Sequence, residues 1–146
     1  MVIRDEACSV EITLREVGTS GTPSEGDFGV RVAATAAASG VGGPFAGTNE
    51  TVLISYDEWT NFLEGLRELE RTRQGEARVG AMSPAEFQLA IFATDRAGHM
   101  AAEGWVGREY ALRTEAFHDR VCFRIEIDPS TLPHIVKQFE AFSPPG

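Results

Sequence analysis

Through most of this chain apolar and polar residues alternate, and the period changes to that of a helix in two places. Cys8, Val10, Ile12 and Leu14 fall on one side of residues 8–17, with Ser9, Glu11, Thr13 and Arg15 on the other, which predicts a strand with one buried face. Phe28, Val30 and Val32 repeat the pattern after the turn-forming stretch 18–26 (GTSGTPSEG), so these two strands should pair as an antiparallel hairpin. A third strand is expected over Glu50 to Ile54, with Val52 and Ile54 inward. The glycine-rich residues 39–47 between them predict a hairpin loop. They do not form a phosphate cradle, because the third glycine of G-x-G-x-x-G would fall on Phe45 and no Lys-Ser or Lys-Thr follows.

Trp59, Phe62, Leu63, Leu66 and Leu69 then recur at helical spacing, predicting a helix over 56–73. Ser55 and Glu58 have the spacing of a capping box, acids lead and arginines close the helix, and Gly75 suits the position after its end. Strands resume at Ala77, Val79 and Ala81. Phe87, Leu89, Ile91 and Ala93 alternate with Glu86, Gln88, Ala90 and Phe92, and a turn at 94–98 leads into His99 to Val106, so 86–106 reads as a hairpin that Tyr110 and Leu112 extend. Residues 113–120 read as a polar connection. Val121, Phe123, Ile125 and Ile127 mark a last strand, and Leu132, Ile135, Val136 and Phe139 mark a helix. Short turns between successive strands and only two helices predict an α+β fold: one antiparallel sheet of six to seven strands, with two helices packed on one face, in a single domain spanning 1–146.

Composition narrows the function. A chain of 146 residues with 42% hydrophobic and 24% charged residues has the make-up of a soluble globular protein. No apolar run approaches the roughly 18 residues of a membrane span, and the start MVIRDEACSVEI lacks the basic and apolar regions of a signal peptide, so the cytoplasm is expected. The formal net charge of −9 argues against a nucleic-acid binder, which needs a basic footprint, and favours a basic protein partner. A monomer or a weak homodimer is expected. Cys8 and Cys122 are far apart and lack C-x-x-C spacing, which argues against a disulfide framework or a zinc site and for small hydrophobes in or near the core.

Candidate chemistry is thin. His99, His118 and His134 are not brought together by any pattern, and His99 and Glu103, on one face of a strand, stand about 13 Å apart, too far to share a metal ion. There is no G-x-S-x-G elbow. Glu86 and Glu103 on neighbouring strands could imitate a glycosidase pair, but with 22 acidic residues such pairs arise readily and read as a solvated face. No catalytic, cofactor or metal residues are expected, and the chain reads as a non-enzyme. The alternative is a small-molecule-binding domain or weak hydrolase using the open sheet face. The informative residues are Phe92, in phase with Glu86 and Gln88, and Trp105, in phase with His99 and Glu103. Either both aromatics sit on the sheet face opposite the helices, or a bulge near Gly104 turns Trp105 into the core. On the first arrangement the partner-binding surface comprises Glu11, Glu86, Phe92, Glu103, Trp105 and Glu126.

The second half carries a resemblance. The run Phe87 to Phe92 (F-x-L-x-I-F), the turn Gly98-His99-Met100, and the sequence VCFRIEIDPSTLP from Val121 into an amphipathic helix resemble the C-terminal half of the WapI-type immunity proteins, over Phe87 to Phe139. The helix at 56–73 followed by a short glycine-bounded strand is in keeping. The resemblance implies a small acidic bacterial protein that binds and neutralises a cognate toxin domain, often a nuclease, by steric occlusion. It implies no catalytic residues and transfers no partner-facing ones.

Overall fold

The computed structural model describes residues 1–15, 27–36, 45–112 and 115–142, and its architecture is α+β with two antiparallel sheets of four strands each. The first holds β1 (Val2–Arg4), β2 (Cys8–Arg15), β3 (Phe28–Ala36) and β4 (Phe45–Ile54), in that order. Helix α1 (Tyr56–Thr72) leads to the second, which holds β5 (Glu76–Gly80), β6 (Phe87–Ala93), β7 (Met100–Leu112) and β8 (Glu115–Ile127), again in chain order. A 3-10 turn at Pro129–Thr131 opens into α2 (Leu132–Ala141).

The expectation of one sheet of six to seven strands is corrected. Alternation says that a strand has an apolar side but not what covers it, and here much of the cover for one sheet is the other. Gly47 of β4 lies so close to β8 that a Cβ added there would come within 2.7 Å of a Val121 methyl. Asn49, buried at 8% exposure, spans the same gap: its Nδ2 donates to the Gly107 carbonyl at 2.8 Å, and its Oδ1 accepts from Thr51 N–H at 3.0 Å. That second bond lies where the β3–β4 ladder shifts register between Val30 and Val32. The helices close the remaining apolar surface. Gly65 lets α1 approach β5, since a Cβ there would stand 3.1 Å from that of Ala77.

Both sheets and both helices share one apolar cluster. At its helical end Trp59 meets Phe28 edge-on at 5.6 Å, Phe139 at 5.8 Å and Phe142 at 5.1 Å. Such aromatic pairs contribute about 0.5–1.5 kcal/mol each beyond the area they bury. The Trp59 indole N–H is buried without a hydrogen-bond partner among the described residues.

Several boundaries differ from the sequence reading. Strand β1 was not anticipated; three residues are too few to show a period. It docks through Ile12 N–H to the Met1 carbonyl at 2.9 Å and through Val2 N–H to Gln138 Oε1 at 3.2 Å. Phe45 to Gly47, expected as loop, begin β4, and 115–120, expected as a connection, belong to β8. The turn stretch 18–26 and the glycine-rich residues 39–44 lie outside the described residues. Ser55 caps α1 by accepting from Glu58 N–H at 3.3 Å, while no return bond from Ser55 N–H to the Glu58 carboxylate occurs among the described residues. The left-handed residue ending α1 is Arg73, at φ 58°, not Gly75. Its guanidinium donates to the Pro129 carbonyl at 2.7 Å, a tertiary bond that helps hold this backbone. No helix among the described residues is long and apolar enough to cross a membrane.

Candidate functional site

On the outer face of the β5–β8 sheet two large aromatics, Phe92 and Trp105, stand among charged groups in register. The ladders β6–β7 and β7–β8 run unbroken through Gly104, with Leu89 opposite Gly104 and Gly104 opposite Phe123. There is no bulge, so Trp105 keeps the phase of Glu103 and stays on the outer side. Glycine at 104 is what the close ladder permits: a Cβ there would lie 1.9 Å from the Gln88 carbonyl oxygen and 3.0 Å from the Phe123 ring. Two neighbouring rows follow from the pairing. One reads Arg78, Ala90, Glu103, Arg124 across the strands, and the next reads Gly80, Gln88, Trp105, Cys122.

The aromatics are held rather than loose. Trp105 is half-buried, its Nε1 donates to the Pro84 carbonyl at 3.0 Å, and the Arg120 guanidinium lies 5.2 Å above its ring. Phe92, also half-buried, carries the Arg124 guanidinium 5.7 Å above its ring. Arg124 is gripped from two sides: its Nε donates to Glu126 at 3.1 Å and its Nη1 to Glu103. Those bonds, Glu126 first and then Glu103, hold its pKa above the ordinary guanidinium value. Arg78 is paired with Glu76 at 2.7 Å. Glu86, just before β6, has its pKa raised by burial and then by the nearby charge of Glu109.

Of the six residues expected to form the surface, Glu86, Phe92, Glu103, Trp105 and Glu126 belong to this face. Glu11 does not: it pairs with Val2 and Ala33 on the outer side of the other sheet. The single-sheet expectation had placed the two sides together. The expected pairing of the aromatics with acids alone is also corrected, because Arg78, Arg120 and Arg124 share the face, and two of these arginines lie over the rings. Their signal was present in the sequence, since each alternates with an inward residue: Val79, Val121 and Phe123. Cys122, expected in or near the core, is exposed in the second row, whereas Cys8 is half-buried.

The glycosidase-like pair dissolves on this geometry. Glu86 is level with Gly107 and Glu103 is level with Ala90, four residues along the ladder, or about 13 Å. That exceeds the roughly 5–9.5 Å over which two carboxylates share a sugar. His99 is engaged locally, its Nδ1 2.5 Å from Asp95 Oδ2, which raises its pKa above 6.5. His134 is exposed on α2, and the His118 side chain lies outside the described residues.

Compared with family models, with curated proteins and with solved structures, the chain matches none. What the face offers is a shallow depression of about 530 Å³ over Ala90 and Glu103, bounded by Trp105 in the neighbouring row and by Arg78 and Arg124 at the two ends of its own row.

Proposed function

We propose that this chain is a non-catalytic binding protein of the toxin-immunity kind, which occludes a basic partner protein with the outer face of β5–β8. The observation that carries the reading is Trp105, a large aromatic turned away from the core in an unbroken strand, locked by Pro84 and ringed by charged side chains. Tryptophan and arginine are the residues that dominate binding energy at protein interfaces. The net charge of −9 supplies the long-range attraction for a basic partner, and an interface of ordinary size takes about 800 Å² from each side.

The test is affinity capture of the tagged protein from its own host at low and high salt, with Trp105→Ala in parallel. The expected result is one stoichiometric basic protein that weakens at high salt. In the variant its affinity should fall by at least about thirtyfold, the equivalent of about 2 kcal/mol. A bare protein at both salts, or unchanged affinity in Trp105→Ala, would sink the reading.

A further inference from the structure

We infer that the depression beside Trp105 is an anion subsite, built for a carboxylate carried next to a flat apolar group. Its floor is made small by Ala90, with Glu103 beside it, and Arg78 on β5 and Arg124 on β8 stand at opposite ends of the same row. Both guanidiniums are oriented by carboxylates that leave donors over. Arg78 uses Nε and Nη2 on one oxygen of Glu76, and Arg124 uses Nε on Glu126 and Nη1 on Glu103. Arginine has five N–H donors in a rigid fork, so each keeps edges for a further acceptor. The two arginines are set against Glu76, Glu103 and Glu126, so what the depression offers an anion is the free edges of two oriented guanidiniums and not a net positive charge.

A cationic ligand is the natural alternative for a tryptophan-walled site, and the geometry opposes it. One face of each ring already carries a cation: Arg120 lies over Trp105 and Arg124 over Phe92. A second cation on that side would meet guanidinium edges instead of a bare π face. A carboxylate meets those edges in the geometry they favour, and a flat group attached to it gains the Trp105 side wall. The indole is fixed beforehand by its bond to Pro84, so little side-chain entropy remains to be lost there.

The inference concerns the chemistry of the same face as the preceding reading but does not require a protein partner. Benzoate, acetate and benzylamine are titrated at constant ionic strength while the two tryptophan indole N–H signals are followed by NMR, with buried Trp59 as the internal reference. Benzoate should move the Trp105 signal saturably and leave Trp59 still, and acetate should bind more weakly. Arg78→Gln and Arg124→Gln should each weaken benzoate at least fivefold, and Arg78→Lys should recover part of the loss. Unaltered Trp59 signals in each variant show that the fold is retained. Benzylamine binding more tightly than benzoate would overturn the inference, as would a benzoate response that is linear and unchanged in both glutamine variants. Competition separates the sources of the carboxylate: displacement of a captured protein by benzoate assigns it to that protein, and saturable binding without displacement assigns it to a free aromatic acid. A protein captured through Trp105, with no saturable benzoate binding to the free chain, refutes the anion subsite alone, whereas benzoate binding with nothing captured refutes only the partner reading.

Discussion

Substituting glycines one at a time tests whether the β5–β8 face is built as described, because the spaces around them differ by known amounts. At Gly104 a new Cβ would fall 1.9 Å from the Gln88 carbonyl oxygen and 2.9 Å from its carbon, so the obstacle is backbone of the neighbouring strand. Relief requires the β6–β7 ladder to open, losing hydrogen bonds at about 1 kcal/mol each, on top of the roughly 1–3 kcal/mol typical of overpacking. Gly104→Ala is therefore expected to lower unfolding free energy by about 3 kcal/mol or more. At Gly47 the nearest atom, 2.7 Å away, is a Val121 methyl, which a small side-chain and strand adjustment can relieve, for a loss of about 1–2 kcal/mol. At Gly80 the nearest atom is 3.6 Å away and φ is not positive, so Gly80→Ala should be within about 0.5 kcal/mol of the parent. Urea unfolding followed by circular dichroism gives the three values, and Trp105 emission reports whether its side chain has turned. If Gly104→Ala is as stable as Gly80→Ala, the close ladder is wrong, and the outward placement of Trp105 falls with it.

Other outcomes follow from single side chains. Trp59→Phe should change stability by less than about 1 kcal/mol, because relief of the unpartnered buried N–H offsets the lost contacts, while Trp59→Ala should cost about 3–5 kcal/mol; chemical denaturation of both decides it. Glu86 has a folded pKa above its unfolded one, so its ionised form opposes folding. Glu86→Gln should stabilise the protein at neutral pH, with an advantage that fades as pH falls through the raised folded pKa toward the unfolded one, read from melting temperatures across pH. His99 is raised by its bond to Asp95, so their attraction is fully present below pH 6.5 and is lost as pH rises through the higher folded value; Asp95→Asn should return the NMR-titrated pKa toward 6.5.

The elements were legible where a period repeats at least twice over. Trp59, Phe62, Leu66 and Leu69, all buried on α1, announced themselves by spacing, as did Leu132, Ile135, Val136 and Phe139 on α2. The same parity placed Phe92 and Trp105 on one side of their hairpin. What parity cannot carry is the identity of the covering surface, and so Glu11 was grouped with residues that lie across the sandwich from it. Nor does it predict a bond such as that from Asn49 to Gly107, which joins residues 58 positions apart through a polar group in otherwise apolar surroundings. The αL cap at Arg73 was obscured for a related reason: local propensity favours glycine there, and a tertiary bond to Pro129 accompanies the arginine.

Charge divides the binding problem in two. On the outer face of β5–β8, Glu76, Glu86, Glu103, Glu109 and Glu126 are set against Arg78, Arg120 and Arg124, which leaves two uncompensated acids on a molecule whose formal charge is −9. Most of the acid excess thus lies off the face, on surfaces such as α1 with Asp57, Glu58, Glu64, Glu68 and Glu70. Charge at that distance acts on the approach of a partner and is screened beyond about 8 Å at physiological ionic strength. Side chains within the face act on how long the partner stays. Neutralising Glu64 and Glu70 should accordingly slow association with a captured basic partner and flatten its salt dependence while leaving dissociation unchanged, whereas Trp105→Ala should speed dissociation with little effect on association. Surface plasmon resonance across a salt series separates the two rates. Dissociation that responds to the α1 acids as strongly as to Trp105 would mean that the partner sits on α1, and the face of β5–β8 would lose its claim.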